Sequence, residues 1–115
     1  MLFRSPLGYG GTFVTAGAST IAVLPIGYYD GLRRSLSGRV SVLLRGKEAP
    51  LVGAISMDLA LVDATQSGAH LGDRVVLLGR EEERRVTAWD LARAAGTIPY
   101  EILCGLGARV PRTYV

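Results

Sequence analysis

The 115 residues are 49% apolar and 20% charged, a balance that excludes a disordered chain and suits one compact domain with its own core. That length also excludes a (β/α)8 barrel, which takes about 250 residues. Thirteen basic against ten acidic side chains give a net charge of +3. Twelve of the thirteen are arginines, scattered from Arg4 to Arg112 without the clustering that a nucleic-acid-binding face needs.

Residues 1–7 do not join the pattern that follows and read as linker or boundary residues; residues 8–115 read as one domain. Ser19–Leu24, Val40–Leu44, Leu51–Val52 running into Ile55, Leu59–Val62 and Arg74–Leu78 are short runs rich in Val, Leu and Ile, the mark of strands buried on one or both faces. Arg33 to Ser37 allows a short helical turn, and Arg45-Gly46-Lys47 reads as a hairpin turn. Gly68 to Asp73 is a loop that carries His70. Arg80 to Arg85 interleaves three acids with three bases and reads as a solvated turn rather than a phosphate-binding patch. Thr87 then caps a helix near 88–95, with Asp90 as the reciprocal capping acid and Trp89, Leu91, Ala92 and Ala95 as its apolar stripe. Gly96 ends that helix and Pro99 prevents its continuation. The fold class that follows is mainly β: a small barrel or sandwich-like domain with one short helix.

The chain excludes several chemistries. With one His and one Cys (Cys104), no residues stand at metal-ligand spacing, so no metal site is expected. His70, in its polar loop, reads as a surface residue, and no nucleophile elbow accompanies it. Gly8-Tyr9-Gly10-Gly11 lacks the lysine and the spacing of a phosphate loop. No apolar run approaches the roughly 20 residues of a membrane helix, so neither membrane nor nucleic acid is expected as a partner. Tyrosine is the unusual feature: Tyr9, Tyr28, Tyr29 and Tyr100 all sit beside or close to glycine or proline. Turns carry such phenols into clefts, where they donate, accept or transfer protons; the alternative is that the rings only pack and the hydroxyls are solvated.

Six segments, in order, decide between those readings: Gly8-Tyr-Gly-Gly-Thr-Phe13, Leu24-Pro-Ile-Gly-Tyr-Tyr-Asp-Gly31, Ala49 to Asp58 with its Ile-Ser-Met-Asp end, Leu71 to Gly79, Gly96-Thr-Ile-Pro-Tyr-Glu101 and Arg109-Val-Pro-Arg112. Together they resemble the carboxy-terminal domain of alanine racemase, a pyridoxal-phosphate enzyme that interconverts L- and D-alanine, the latter a peptidoglycan precursor. The resemblance implies a cytoplasmic homodimer in which an amino-terminal barrel holds the cofactor on a lysine and this domain serves the partner subunit's site. It implies Tyr9 as the catalytic base for the L enantiomer, Met57 as a main-chain N–H donor to the substrate carboxylate, and Tyr100 as a hydroxyl on the cofactor phosphate. Tyr28, Arg34 and Ile98 would line the substrate channel. The alternatives are core packing for Met57, packing for Ile98 and a solvated charge for Arg34.

Leu59, Ala54 and Pro99 depart from residues common in the family. The alanine implies a wider or less polar channel, which keeps a broader amino-acid racemase, for example one acting on serine, as an alternative. A non-catalytic β module that binds a partner is the other. Lys47, the only lysine, lies in a hairpin turn rather than in a sheltered pocket that would depress its pKa. The expectation is therefore a truncated racemase β domain, inactive alone.

Overall fold

The computed structural model describes residues 3–6, 13–16, 19–70 and 72–110. The strands are β1 (Phe3–Pro6), β2 (Phe13–Ala16), β3 (Ser19–Leu24), β4 (Ser41–Leu44), β5 (Lys47–Val52), β6 (Ala60–Asp63), β7 (Arg74–Glu81) and β8 (Arg84–Val86), and the helices α1 (Ala88–Ala95) and α2 (Pro99–Cys104). Single 3-10 turns occupy Tyr28–Asp30 and Arg34–Leu36. All strand pairs are antiparallel, in the order β1-β7-β4-β5-β6-β3-β2, with β8 paired to the end of β7. Phe3–Pro6, within the stretch read as linker, pairs with Arg74–Leu78 of β7. Among the described residues the path does not close on itself, so the domain is sandwich-like rather than a closed barrel.

One strand joins the two halves of the sheet. Lys47 to Pro50 pair with β4, whereas Leu51 and Val52 pair with β6. Pro50, which has no N–H to offer, stands at the changeover, where losing one ladder donor costs least. The strand stops at Val52 rather than reaching Ile55, because Gly53 adopts a φ of 67°. At the β4–β5 turn Arg45 and Gly46 both have positive φ (52° and 75°), the backbone of a two-residue hairpin whose twist matches its strands.

Burial follows the strands' positions. Val75, Val76, Leu77 and Leu78 are all buried, as are Val42, Leu43 and Leu44, so the middle of the sheet is covered on both faces. Further along the sheet, β6 alternates buried Ala60 and Val62 with exposed Leu61. Leu24, Val42, Leu44, Leu51, Val62 and Leu77 share one core with Leu91 and Ala92 of α1 and Ile102 of α2.

In α1 the Thr87 Oγ1 accepts from the Asp90 N–H (3.1 Å) and the Asp90 carboxylate accepts from the Thr87 N–H (2.8 Å), closing both halves of the predicted capping box. Gly96, at φ 73°, ends it. Trp89 does not join the apolar stripe: it is 67% exposed. Two residues along a helix turn the side chain by about 200°, which sets Trp89 opposite Leu91. Pro99 does more than stop α1, because it opens α2, where a missing N–H is harmless at the first helical position.

Candidate functional site

The turn Gly27–Gly31 explains its own sequence. A Cβ on Gly27 would lie 2.2 Å from the Ser56 carbonyl oxygen and 2.5 Å from the Met57 backbone, so only glycine lets the two loops meet main chain to main chain. Across that contact the Tyr28 N–H donates to Ser56 O (3.0 Å) and the Tyr29 N–H to Met57 O (3.1 Å). The second loop is itself braced, with Ser56 Oγ donating to Leu59 O and accepting from the Leu59 N–H, both at 3.0 Å. Gly31, at φ 109°, faces the Gly105 and Leu106 backbone beyond α2, and the Gly107 N–H donates to Asp30 O (3.0 Å). Three loops thus converge.

An ion cluster holds them together. Asp30 is the one charged side chain that is buried among the described residues. Its carboxylate accepts from Arg109 Nε (2.9 Å) and Nη2 (3.1 Å) and from the Gly27 N–H (3.2 Å). The same Arg109 Nη2 donates to Asp58 Oδ1 (2.7 Å), and the guanidinium carbon lies 4.4 Å from the centroid of the Tyr29 ring. Asp58 first and Asp30 next, by accepting these hydrogen bonds, hold Arg109 more firmly charged than an ordinary arginine. The carboxylates shifted below their ordinary value lie elsewhere and shape turns or caps: Asp63 by its hydrogen bonds from Thr65, Asp73 by the His70 N–H and Asp90 by the Thr87 N–H.

Tyr28 (48% exposed) and Met57 (45%) stand on the two loops that touch, so the fold brings these two sequence-predicted residues together. Met57 is not core packing. Its carbonyl is taken by Tyr29, whereas among the described residues its N–H donates to no acceptor. Ile98 (57%) and Tyr100 (75%) lie at the opposite end of α2 from Gly31, exposed and without the packing considered for Ile98. Arg34, also exposed, opens the second 3-10 turn. That turn is tied to the loop before Met57, because Ser37 Oγ donates to Arg34 O (2.6 Å) and accepts from the Ile55 N–H (2.9 Å). Tyr9 lies outside the described residues.

Asp30 and Arg109 stand within two of the six family-like segments, yet the sequence pattern assigns neither a role. The available signal was an aspartate alone in an otherwise apolar stretch, since a buried carboxylate needs a cation from elsewhere in the chain. Among the described residues no group of three or more His, Cys, Asp or Glu side chains is arranged to hold a metal, and no helix is long and apolar enough to cross a membrane. His70 is exposed. An open cleft of about 570 Å³ lies between Leu78, Val86, Ala88 and Leu103, but none of the predicted site residues among the described residues lines it.

The fold and the cluster define a mainly antiparallel β domain whose loops carry exposed phenols, Tyr28, Tyr29 and Tyr100, beside the Met57 loop. The chain belongs to the alanine racemase C-terminal domain family, whose model matches residues 4–114. It is 49% identical over 113 residues to alanine racemase 2 of Caldanaerobacter subterraneus subsp. tengcongensis, covering 97% of this chain and 29% of that protein. To the alanine racemase of Syntrophobacter fumaroxidans it is 52% identical over 103 residues, 89% of this chain and 28% of the relative. Among solved structures, the Bartonella henselae alanine racemase with covalently bound pyridoxal phosphate superposes with a TM-score of 0.84 at 33% identity, over 99% of this chain and 34% of that one. The chain thus spans under a third of the length of the curated relatives it matches.

Tyr100 carries an exposed phenol, a group chemically able to donate to a phosphate. Lys47 does not fit the covalent role, because it is exposed at the start of β5 with its ammonium donating to Gln66 O (3.2 Å).

Proposed function

We propose that this domain completes the active site of an alanine racemase, supplying from a partner subunit the groups that face the substrate opposite the cofactor lysine. The observation that carries this reading is the locked contact between the Tyr28 turn and the Met57 loop. It ties together two loops that carry a half-exposed Tyr28 and a Met57 whose N–H has no acceptor among the described residues, on a chain of the racemase family.

In this reading the Met57 N–H donates to the substrate carboxylate and fixes the face presented to the base. Tyr9 takes the α-proton of L-alanine onto its phenolic oxygen and returns it in the reverse direction, while a lysine of the barrel domain does the same on the D face. Pyridoxal phosphate, when bound, stores the electron pair left by that proton. The Tyr100 hydroxyl donates to the cofactor phosphate. Tyr28, Arg34 and Ile98 line the approach and exclude water and bulkier amino acids. The amino-terminal barrel and a second copy of the protein are the partners, in the cytoplasm, and the 115 residues alone do not racemise, since Lys47 is the only lysine they contain.

The test is D-alanine formation from L-alanine by the purified chain alone, and again after mixing with the barrel domain and pyridoxal phosphate. Activity should require both parts, and Tyr9→Phe should lower kcat by about 100-fold or more, the usual worth of a positioned proton-transfer group. Activity of the chain by itself, or a Tyr9→Phe protein with unchanged kcat, would overturn the reading.

A further inference from the structure

We propose that Asp58 and Arg109 are positioning residues, which set the place of the Met57 N–H relative to the Tyr28 turn through the chain Asp58, Arg109, Asp30. This rests on the racemase reading for its activity consequences, but its geometry stands on the chain alone. Met57 and Asp58 are consecutive, so whatever fixes the Asp58 carboxylate also restrains the peptide that presents the Met57 N–H. Among the described residues Arg109 is the one group that touches both loops through side chains: two bonds to Asp30, one to Asp58 and a ring contact with Tyr29.

The two ends of this strap differ. Asp30 is buried, with its side chain 7% exposed, and its pair with Arg109 belongs to the folded structure; the Asp58 side chain is 56% exposed and is held by that same guanidinium. A surface ion pair of that kind contributes little to stability. No fold-keeping need therefore accounts for a third carboxylate bond on a guanidinium already paired in a forked geometry. What the bond does is fix the Met57 loop from its solvent side, while Tyr28 and Tyr29 fix it from the other through the main chain. A donor held from two sides presents its N–H in one direction, which lowers the ordering cost of binding a carboxylate.

The experiment separates positioning from folding. In the cofactor-loaded racemase carrying this domain, Asp58→Asn should raise the KM for alanine about threefold or more, with kcat within about twofold and melting temperature nearly unchanged, the pattern of lost ground-state binding. Arg109→Lys keeps the charge but not the fork, so it should fall between wild type and Arg109→Gln. Should Arg109→Gln fail to fold, Asp58→Asn decides. The second readout needs no activity: with only Met1 and Met57 in the sequence, the methyl resonance of Met57 in the 115-residue chain should shift or broaden in Asp58→Asn and stay put in the control Arg93→Gln. An unchanged KM together with an unchanged Met57 resonance would overturn the proposal. A wild-type racemase that forms no D-alanine would sink the functional reading instead, leaving the methyl signal to decide the positioning.

Discussion

The middle of the sheet and the three-loop cluster are held by opposite means. From Val75 to Leu78 and from Val42 to Leu44 every side chain is buried, and non-directional apolar burial does the holding. At the cluster the large side chains, Tyr28, Tyr29 and Met57, stay about half exposed, and the loops are located by main-chain hydrogen bonds and one forked ion pair. Directional bonds let a surface be rigid without hiding the groups it displays. That is the arrangement a domain needs if its reactive face is completed by another protein surface.

The contrast breaks most visibly under substitution. Leu44 is fully buried, and Leu44→Ala should cost about 3 kcal/mol or more, the range for leucine truncation in a packed core. Chemical denaturation measures it, and the Met57 methyl signal of the still-folded protein should not move. Gly27→Ala should cost somewhat less, about 2–3 kcal/mol as for overpacking, yet it should displace the Met57 resonance outright, because the added methyl meets main-chain atoms of Ser56 and Met57 that have no rotamer to yield. Equal effects of the two variants on that resonance would show that loops and core are one mechanical unit.

The two regions also differ in how far the chain's text reveals them. Ser19–Leu24 can be read to the residue, and the helix near 88–95 from its cap, because apolar periodicity and capping are local signals. α2 was hidden because a proline after a glycine reads as a stop, and only packing of Ile102 into the core shows that it starts a helix. The exposure of Trp89 was hidden for a similar reason: an eight-residue helix is too short for its stripe to identify which apolar residue lies outside. In the site, Tyr28 and Met57 could be named from family resemblance, but the contact of their loops could not, since the bonded residues lie 28 positions apart and the contact is made by backbone atoms, which leave no side-chain pattern. The Asp30–Arg109 pair spans 79 positions. Long-range ion pairs have no periodicity to betray them.

The smallest effect is expected at the cap of α1, on the core side of the comparison. The Thr87 N–H and Oγ1 bonds hold the Asp90 carboxylate below its ordinary value of 3.8. A carboxyl group whose pKa is lowered on folding stabilises the folded state above its unfolded pKa, and that contribution is lost as pH falls through the lower folded value. Wild type and Asp90→Asn should therefore differ by about 0.5–1 kcal/mol, a typical cap contribution, from neutral pH down to about pH 4, the difference then closing as the solution is made more acidic. Asp63 and Asp73 are shifted in the same direction and contribute to acid unfolding in both proteins, so the subtraction isolates Asp90. Urea titrations of both proteins across that range check it. A difference that persists unchanged well below pH 3 would assign the cap's contribution to the neutral side chain and not to its charge. Because Arg109, Asp58 and Asp30 form no bond with this cap, the KM for alanine should be the same in Asp90→Asn as in wild type at neutral pH, in contrast to the rise expected for Asp58→Asn.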